Sequence, residues 1–257
     1  MKIIAVVNQK GGVGKTTTSV NLATSLASIH KKVLLVDLDP QGNASTGVGE
    51  FQRNNINGTY EFLLGLKPME ACIHKTKIPS LWLASASTNL AGAEVELVSL
   101  PKREYKLKEA LMHEGKDFDY ILIDCPPALG LMTVNALTAA DEVLVPLQCE
   151  FYALDGLARL IETIRRVKTH FNKALKLSGI VLTMYDKRSA LSAQVEADAR
   201  YHFRDKVFNT VIPRSVRVSE APSHGQPVVL YDFQNAGSMA YMKLAGEMLK
   251  REMVANG

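Results

Sequence analysis

Lys10-Gly11-Gly12-Val13-Gly14-Lys15-Thr16-Thr17 is the stretch that decides how this chain is read. It follows the apolar run Ile3-Ile4-Ala5-Val6-Val7 and precedes a segment in which Val20, Ala23, Leu26 and Ala27 share one helical face. A glycine-rich turn between a strand and an amphipathic helix suits a phosphate cradle. Glycines let successive backbone N–H groups turn inward around an anion, and the helix N-terminus adds the positive end of its dipole. Lys15 is then placed to reach terminal phosphates, and the Thr16 hydroxyl to bind Mg²⁺. The common G-x-x-x-x-G-K-[ST] pattern is not met, because Gln9 stands where its first glycine belongs. Lys10 is the replacement feature. A second lysine so close to the phosphates neutralises charge on a transferred phosphoryl group, in its own site or across a dimer interface, or else is a solvated loop side chain; spacing alone leaves these open.

Outward from the loop, short runs rich in Val, Ile and Leu recur with helix-length segments between them, the pattern of parallel strands joined by crossover helices. Strands are expected at residues 2–8, 33–37, 81–85, 120–124, 142–146, 179–184 and 207–212. The runs are continuously apolar, which calls for helices on both faces of the sheet. Leu157, Leu160, Ile161, Ile164 and Val167 carry the three-four spacing of a buried helical stripe. Residues 54–58 and 222–227 are the most loop-like, and neither is long enough for a domain linker, so one α/β domain spanning residues 1–257 is expected.

Two expected strands end in carboxylates, where ligands gather in open α/β sheets. Val36-Asp37-Leu38-Asp39-Pro40 closes one, and Ile121-Leu122-Ile123-Asp124 closes another. Asp37 and Asp39 are two apart and can face the same side, one holding metal-bound water and the other positioning an attacking water or supporting the loop; each can instead cap a turn. Asp124 is placed to hold Mg²⁺. Pro126-Pro127 then forces the chain out of the strand.

The composition agrees with an ordinary globular chain. Of 257 residues, 47% are hydrophobic and 22% charged, enough to bury a large core and no support for disorder or a collagen-like chain. No apolar run approaches the length of a membrane span, and no secretory cleavage pattern follows the apolar start, so a cytoplasmic protein is expected. Cys72, Cys125 and Cys149 are odd in number, widely spaced and form no C-x-x-C pair, so neither a disulfide framework nor a cysteine metal site is suggested. The histidines show no metal-ligand spacing, and no Ser/His or Cys/His arrangement competes with the phosphate loop. A net charge of +4 is too small to decide for a polyanionic partner.

The loop, together with Val36-Asp37-Leu38-Asp39-Pro40-Gln41-Gly42-Asn43 and Ile123-Asp124-Cys125-Pro126-Pro127, resembles the ParA/Soj chromosome-partitioning ATPases. The resemblance runs end to end and includes Thr183-Met184-Tyr185-Asp186-Lys187-Arg188, Ile212-Pro213-Arg214-Ser215-Val216-Arg217 and Glu220-Ala221-Pro222-Ser223-His224-Gly225. It implies a single-domain P-loop NTPase with a twisted, mainly parallel sheet, ATP and Mg²⁺ as ligands, and slow, partner-stimulated hydrolysis. It also implies that Lys10 acts on the partner subunit's ATP, with Gly11 at the dimer contact. The whole loop, Gly12, Val13, Gly14, Lys15 and Thr17 included, would hold the nucleotide. Thr16, Asp39 and Asp124 would hold the metal, and Asp39 would also position the hydrolytic water. Met184, Pro213 and Ser215 would lie by the adenine, and Glu150 by the ribose across the dimer.

Between Asp186 and Arg217 there are seven Lys or Arg against four Asp or Glu, a surplus able to hold DNA phosphates without reading sequence. The resemblance implies a basic stripe across both subunits that binds DNA non-specifically, with Arg188, Arg214 and Arg217 as its candidates. Arg200, Lys243, Lys250 and Arg251 are weaker ones. A second basic run, Arg159, Arg165, Arg166, Lys168, Lys173 and Lys176, is a DNA surface or a solvated face. The implied partners are a second copy when ATP is bound, nucleoid DNA, and a ParB-type centromere-binding protein. The alternative is a MinD-like membrane-cycling ATPase, but the tail at residues 244–253 is short and mixed in charge, the character of a docking helix. An iron–sulfur reductase lacks the paired cysteines it would need, and a small-molecule synthetase has no polar pocket that sequence can locate. With the loop in the first dozen residues, no N-terminal helix-turn-helix is expected, nor site-specific autorepression.

Overall fold

Successive residues of the strand Lys2–Val6 (β1) point to opposite faces, Ile3 and Ala5 to one and Ile4 and Val6 to the other, and all four are buried. The computed structural model describes residues 1–50, 57–114 and 117–256. It continues the sheet with Val33–Asp37 (β2), His74–Lys75 (β3), Leu81–Ala84 (β4), Tyr120–Asp124 (β5), Glu142–Gln148 (β6) and Lys176–Thr183 (β7). The spatial order is β3-β4-β2-β5-β1-β6-β7. Every pairing is parallel except β3 with β4, which is antiparallel.

The helices among the described residues are Lys15–Ser28 (α1), Asn43–Gly47 (α2), Thr59–Leu63 (α3), Leu90–Val98 (α4), Lys106–Glu114 (α5), Leu131–Ala139 (α6), Ala153–His170 (α7), Ala190–Phe203 (α8), Val216–Glu220 (α9), Val228–Tyr231 (α10) and Ala236–Asn256 (α11). One core joins Val36, Ile123 and Val145 of the sheet to α3 through α8, and the other joins Leu35, Leu122 and Leu144 to α1, α2, α10 and α11. The fold is therefore one α/β domain with both sheet faces covered.

α1 departs from the amphipathic helix that its spacing predicts: Thr18, Ser19, Asn21, Thr24 and Ser25 are buried along with its apolar side chains. α11 packs over its outer side, and polar residues survive there because Ser19, Thr24 and Ser25 donate to carbonyls four residues back at 3.1, 2.9 and 2.7 Å.

The strand expected at residues 207–212 does not form. The segment makes only isolated bridges to the edge of the sheet, Ile180 with Val207 and, just beyond it, Tyr185 with Pro213. Between them, the Glu247 carboxylate of α11 accepts the Asn209 and Thr210 N–H groups at 2.8 and 2.9 Å, so these donors are unavailable to a strand ladder. The segment still lies tight on β7. A Cβ on Gly179 would stand 2.6 Å from the Phe208 ring and 2.8 Å from the Lys206 carbonyl oxygen. β3 is absent from the sequence reading, since two residues carry no periodicity. The expected loop at 54–58 lies outside the described residues up to residue 56, and residues 222–224 belong to a short 3₁₀ turn, Ala221–His224.

Candidate active site

β1 runs directly into the glycine loop, and the loop into α1, at the carboxyl edge of the sheet. Asn8 fixes the loop's entry: its Oδ1 accepts the Lys10 N–H at 3.1 Å, and its Nδ2 donates to the Pro146 carbonyl at 2.7 Å. Gly12 and Gly14 have φ of 75° and 88°, the left-handed region in which a side chain is strained. Gly11 and Gly12 are exposed, and a Cβ on either would meet nothing within 4 Å, so the loop is uncrowded at both positions. Gly14 is the N-cap of α1.

Lys15 is buried, and its ammonium donates to the Lys10 carbonyl at 3.0 Å. Burial lowers its pKa against the raising influence of Asp124 and Asp39. Thr16 donates to Asp124 Oδ2 at 2.8 Å, and Ser19, one helical turn on, donates to Oδ1 at 2.7 Å. Asp124 lies beside Asp37 on the neighbouring strand, and both are fully buried. Burial, and for Asp124 the neighbouring Asp37 carboxylate, push both pKa values up despite the hydrogen bonds from Ser19 and Thr16 to one and from Ser45 to the other. Ser45 holds Asp37 through its N–H at 2.8 Å and its hydroxyl at 2.7 Å. Asp37 therefore ties β2 to α2, whereas Asp39 accepts only the local Gln41 N–H at 3.0 Å among the side-chain bonds described.

Two buried carboxylates beside an open anion cradle form a place where a cation relieves repulsion. Among the described residues no three His, Cys, Asp or Glu side chains cluster to hold a metal alone. The donors fit Mg²⁺, which keeps waters and is shared between a few protein oxygens and substrate phosphates.

Lys10 reaches back to form an ion pair with Glu150, two residues past the end of β6, bringing together two residues that the family resemblance implies for the nucleotide. Met184, with φ of 50°, follows β7, and the adjacent Tyr185 bridges Pro213, which brings the ends of these two segments side by side. The Ser215 hydroxyl donates to Asn235 Oδ1 at 3.0 Å. Thr183, Asn8, Ser19 and Ser45 were not singled out by sequence. Ser19 was findable, because it follows Thr16 at helical spacing; Thr183 and Asn8 act through strand adjacency, and Ser45 through the placement of α2 against the end of β2.

The basic candidates separate by what they touch. Arg188 is held by Asp186 at 3.0 Å, Arg217 by Glu220 at 3.1 Å and Asp232 at 3.6 Å, and Arg200 by Glu196 at 2.9 Å and the Phe208 carbonyl at 3.2 Å. Arg251 is committed to the carbonyls of Asp205 and Val207 and lies over the Phe208 ring. Arg214 and Lys243 are exposed and form no ion pair among the described residues. On α7, Arg159, Arg165 and Lys168 lie on the exposed face opposite Leu157, Leu160 and Ile164.

A strand–glycine loop–helix with a buried lysine, a threonine bound to a strand-end aspartate, and an open anion cradle defines a phosphate-loop, Mg²⁺-dependent ATPase. The AAA domain family matches residues 1–177. The chromosome partitioning protein ParA of Caulobacter vibrioides is 52% identical over 254 residues, covering 98% of this chain and 95% of that protein. The sporulation initiation inhibitor protein Soj of Bacillus subtilis is 51% identical over 256 residues, covering 100% and 99%. The chain belongs to the ParA/Soj family of partitioning ATPases. A solved structure of cobyrinic acid a,c-diamide synthase from Mycobacterium smegmatis, with ADP and magnesium bound, superposes with a TM-score of 0.87 at 37% identity, covering 98% of this chain and 96% of that one.

Proposed function

We propose that this ATPase moves DNA by a dimerisation switch carried by one domain: ATP closes two copies face to face, the pair binds DNA without sequence preference, and hydrolysis stimulated by a ParB-type partner releases it. The observation that carries the reading is the position of Lys10, exposed at the rim of the loop and beyond the buried Lys15. A lysine there is able to serve a phosphate presented by a second copy. In this reading Lys15 and the loop N–H groups bind and orient the phosphates of ATP, Thr16, Asp39 and Asp124 hold Mg²⁺, and Asp39 holds the attacking water. Mg²⁺ supplies neutralisation of the phosphate charge. Met184, Pro213, Ser215 and Glu150 border the nucleoside.

DNA affinity rises steeply with the number of phosphate contacts, so two sets of Arg214 and Lys243 bind where one set does not. Arg188 and Arg217 join them at lower net charge. The switch places the protein on the nucleoid when ATP is bound.

Three observations favour this reading over its alternatives. α11 buries Leu244, Ala245 and Met248 in the core it shares with α1 and α10, the behaviour of a docked helix and not of a membrane-seeking tail; no helix among the described residues is long and apolar enough to cross a membrane. The partitioning relatives, at 52% and 51% identity, resemble this chain more than the Mycobacterium synthase does at 37%. The pocket of about 260 Å³ beside Thr16 has no charged side chain in its lining, which leaves an ionised small substrate without a counter-charge.

The test is DNA retention by the nucleotide-free, ADP and ATP forms, with Lys15→Ala as control. Retention should require ATP and vanish in Lys15→Ala; normal ATP-dependent retention by that variant contradicts the reading.

A further inference from the structure

Thr183 is the last residue of β7 and is 2% exposed, and its hydroxyl donates to the Val13 carbonyl at 2.8 Å, across 170 positions of sequence. Its own backbone is fixed from the other side: Thr183 pairs with Gln148 of β6, and its carbonyl accepts the Cys149 N–H at 3.3 Å. The side chain is branched at Cβ and has few rotamers available. Its methyl group lies 3.8 Å from where a Cβ of Gly14 would stand, so hydroxyl and methyl both face the loop.

The Val13–Gly14 peptide is planar, and its C=O and N–H point in opposite directions. Fixing the carbonyl toward β7 therefore fixes the Gly14 N–H away from β7. Glycine at position 14, with φ of 88°, leaves one side of this peptide unrestrained by a side chain, so the peptide can turn unless something holds it. We infer that Thr183 is a positioning residue for the phosphate loop, holding the Val13–Gly14 peptide so that its N–H is presented to nucleotide phosphate before the nucleotide arrives. Preorganised donors spend no binding energy on reorientation, so the contact acts on phosphate affinity.

The inference rests on the loop being the nucleotide site, and the two are separated in one titration series. ADP with Mg²⁺ is titrated into the wild type, Thr183→Val and Thr183→Ser, with the ³¹P shift of the bound β-phosphorus recorded for each and thermal unfolding measured without nucleotide. Failure of the wild type to bind would sink the nucleotide site itself. With the wild type binding, Thr183→Val should lose about tenfold in affinity and move the β-phosphorus signal, since a removed buried hydrogen bond has effects of this order. Thr183→Ser, which keeps the hydroxyl, should stay within about twofold. Thr183→Ala carries the same expectation if Thr183→Val does not fold. Wild-type affinity and an unmoved phosphorus signal in the variant lacking the hydroxyl, or a serine variant as weak as it, would overturn the inference.

Discussion

Thr16 donates to Asp124 at 2.8 Å across 108 positions of sequence, joining the first turn of α1 to the end of β5. The aspartate also accepts from Ser19 and lies next to Asp37, so one carboxylate ties the loop helix to β5 while facing a second buried carboxylate on β2. What this carboxylate loses in solvent it recovers in part from two hydroxyls, and a cation shared with phosphate recovers more.

This pair gives the protein a pH dependence of unusual sign. Burial raises the pKa of Asp124 to about 7 and that of Asp37 to about 6, from 3.8. Between the unfolded and folded values the native state binds more protons than the unfolded chain, so stability falls as pH rises through that window. Metal-free and nucleotide-free protein should melt at a higher temperature near pH 5 than near pH 7.5, and Asp124→Asn should flatten that part of the profile. A melting temperature that climbs through the same range, and does so equally in Asp124→Asn, contradicts the assignment.

Asp39→Ala removes a side chain whose described hydrogen bond is only to the Gln41 N–H of its own turn, so the fold should survive. The variant should bind ATP and stay on DNA, with turnover reduced by about a hundredfold, in the range of a lost water-positioning group. Rapid phosphate release by Asp39→Ala would take the residue out of its role.

Arg214 forms no ion pair among the described residues, though it lies within the field of Asp186, whereas Arg217 is held by Glu220 and Asp232. Arg214→Ala should therefore weaken DNA binding more than Arg217→Ala does, and lower the slope of log affinity against log salt by about one per contact removed. Equal losses, or the reverse order, would relocate the DNA surface.

Gly179→Ala places a methyl group 2.6 Å from the Phe208 ring and 2.8 Å from a backbone oxygen that cannot rotate away. It should cost about 1–3 kcal/mol of stability, as overpacked sites do, measured by denaturant unfolding. An unchanged midpoint would mean that the 206–208 segment is free to lift from β7.

The parallel sheet was legible in the sequence because its strands are apolar on both faces. Asp124 and Thr16 were legible because motif and strand end coincide. The strand at 207–212 was misread for a physical reason: Val207, Phe208 and Ile212 are apolar enough for a strand, but Glu247, on a helix far along the chain, captures the intervening N–H groups. Thr183 stood inside a stretch that carries the family resemblance, but nothing in the sequence marked its bond to Val13, which depends on where β7 lies beside the loop. α1 looked amphipathic because sequence spacing cannot reveal that α11 covers its polar side.

The central claim is that ATP makes two chains into one DNA-binding particle. Analytical ultracentrifugation of Asp39→Ala with Mg²⁺ and either ATP or ADP, with and without random-sequence duplex, tests it most directly. The account predicts monomers with ADP, dimers with ATP, and co-sedimentation with the duplex only in the second case. Monomers under both nucleotides, or duplex binding of equal strength by the ADP form, would contradict it.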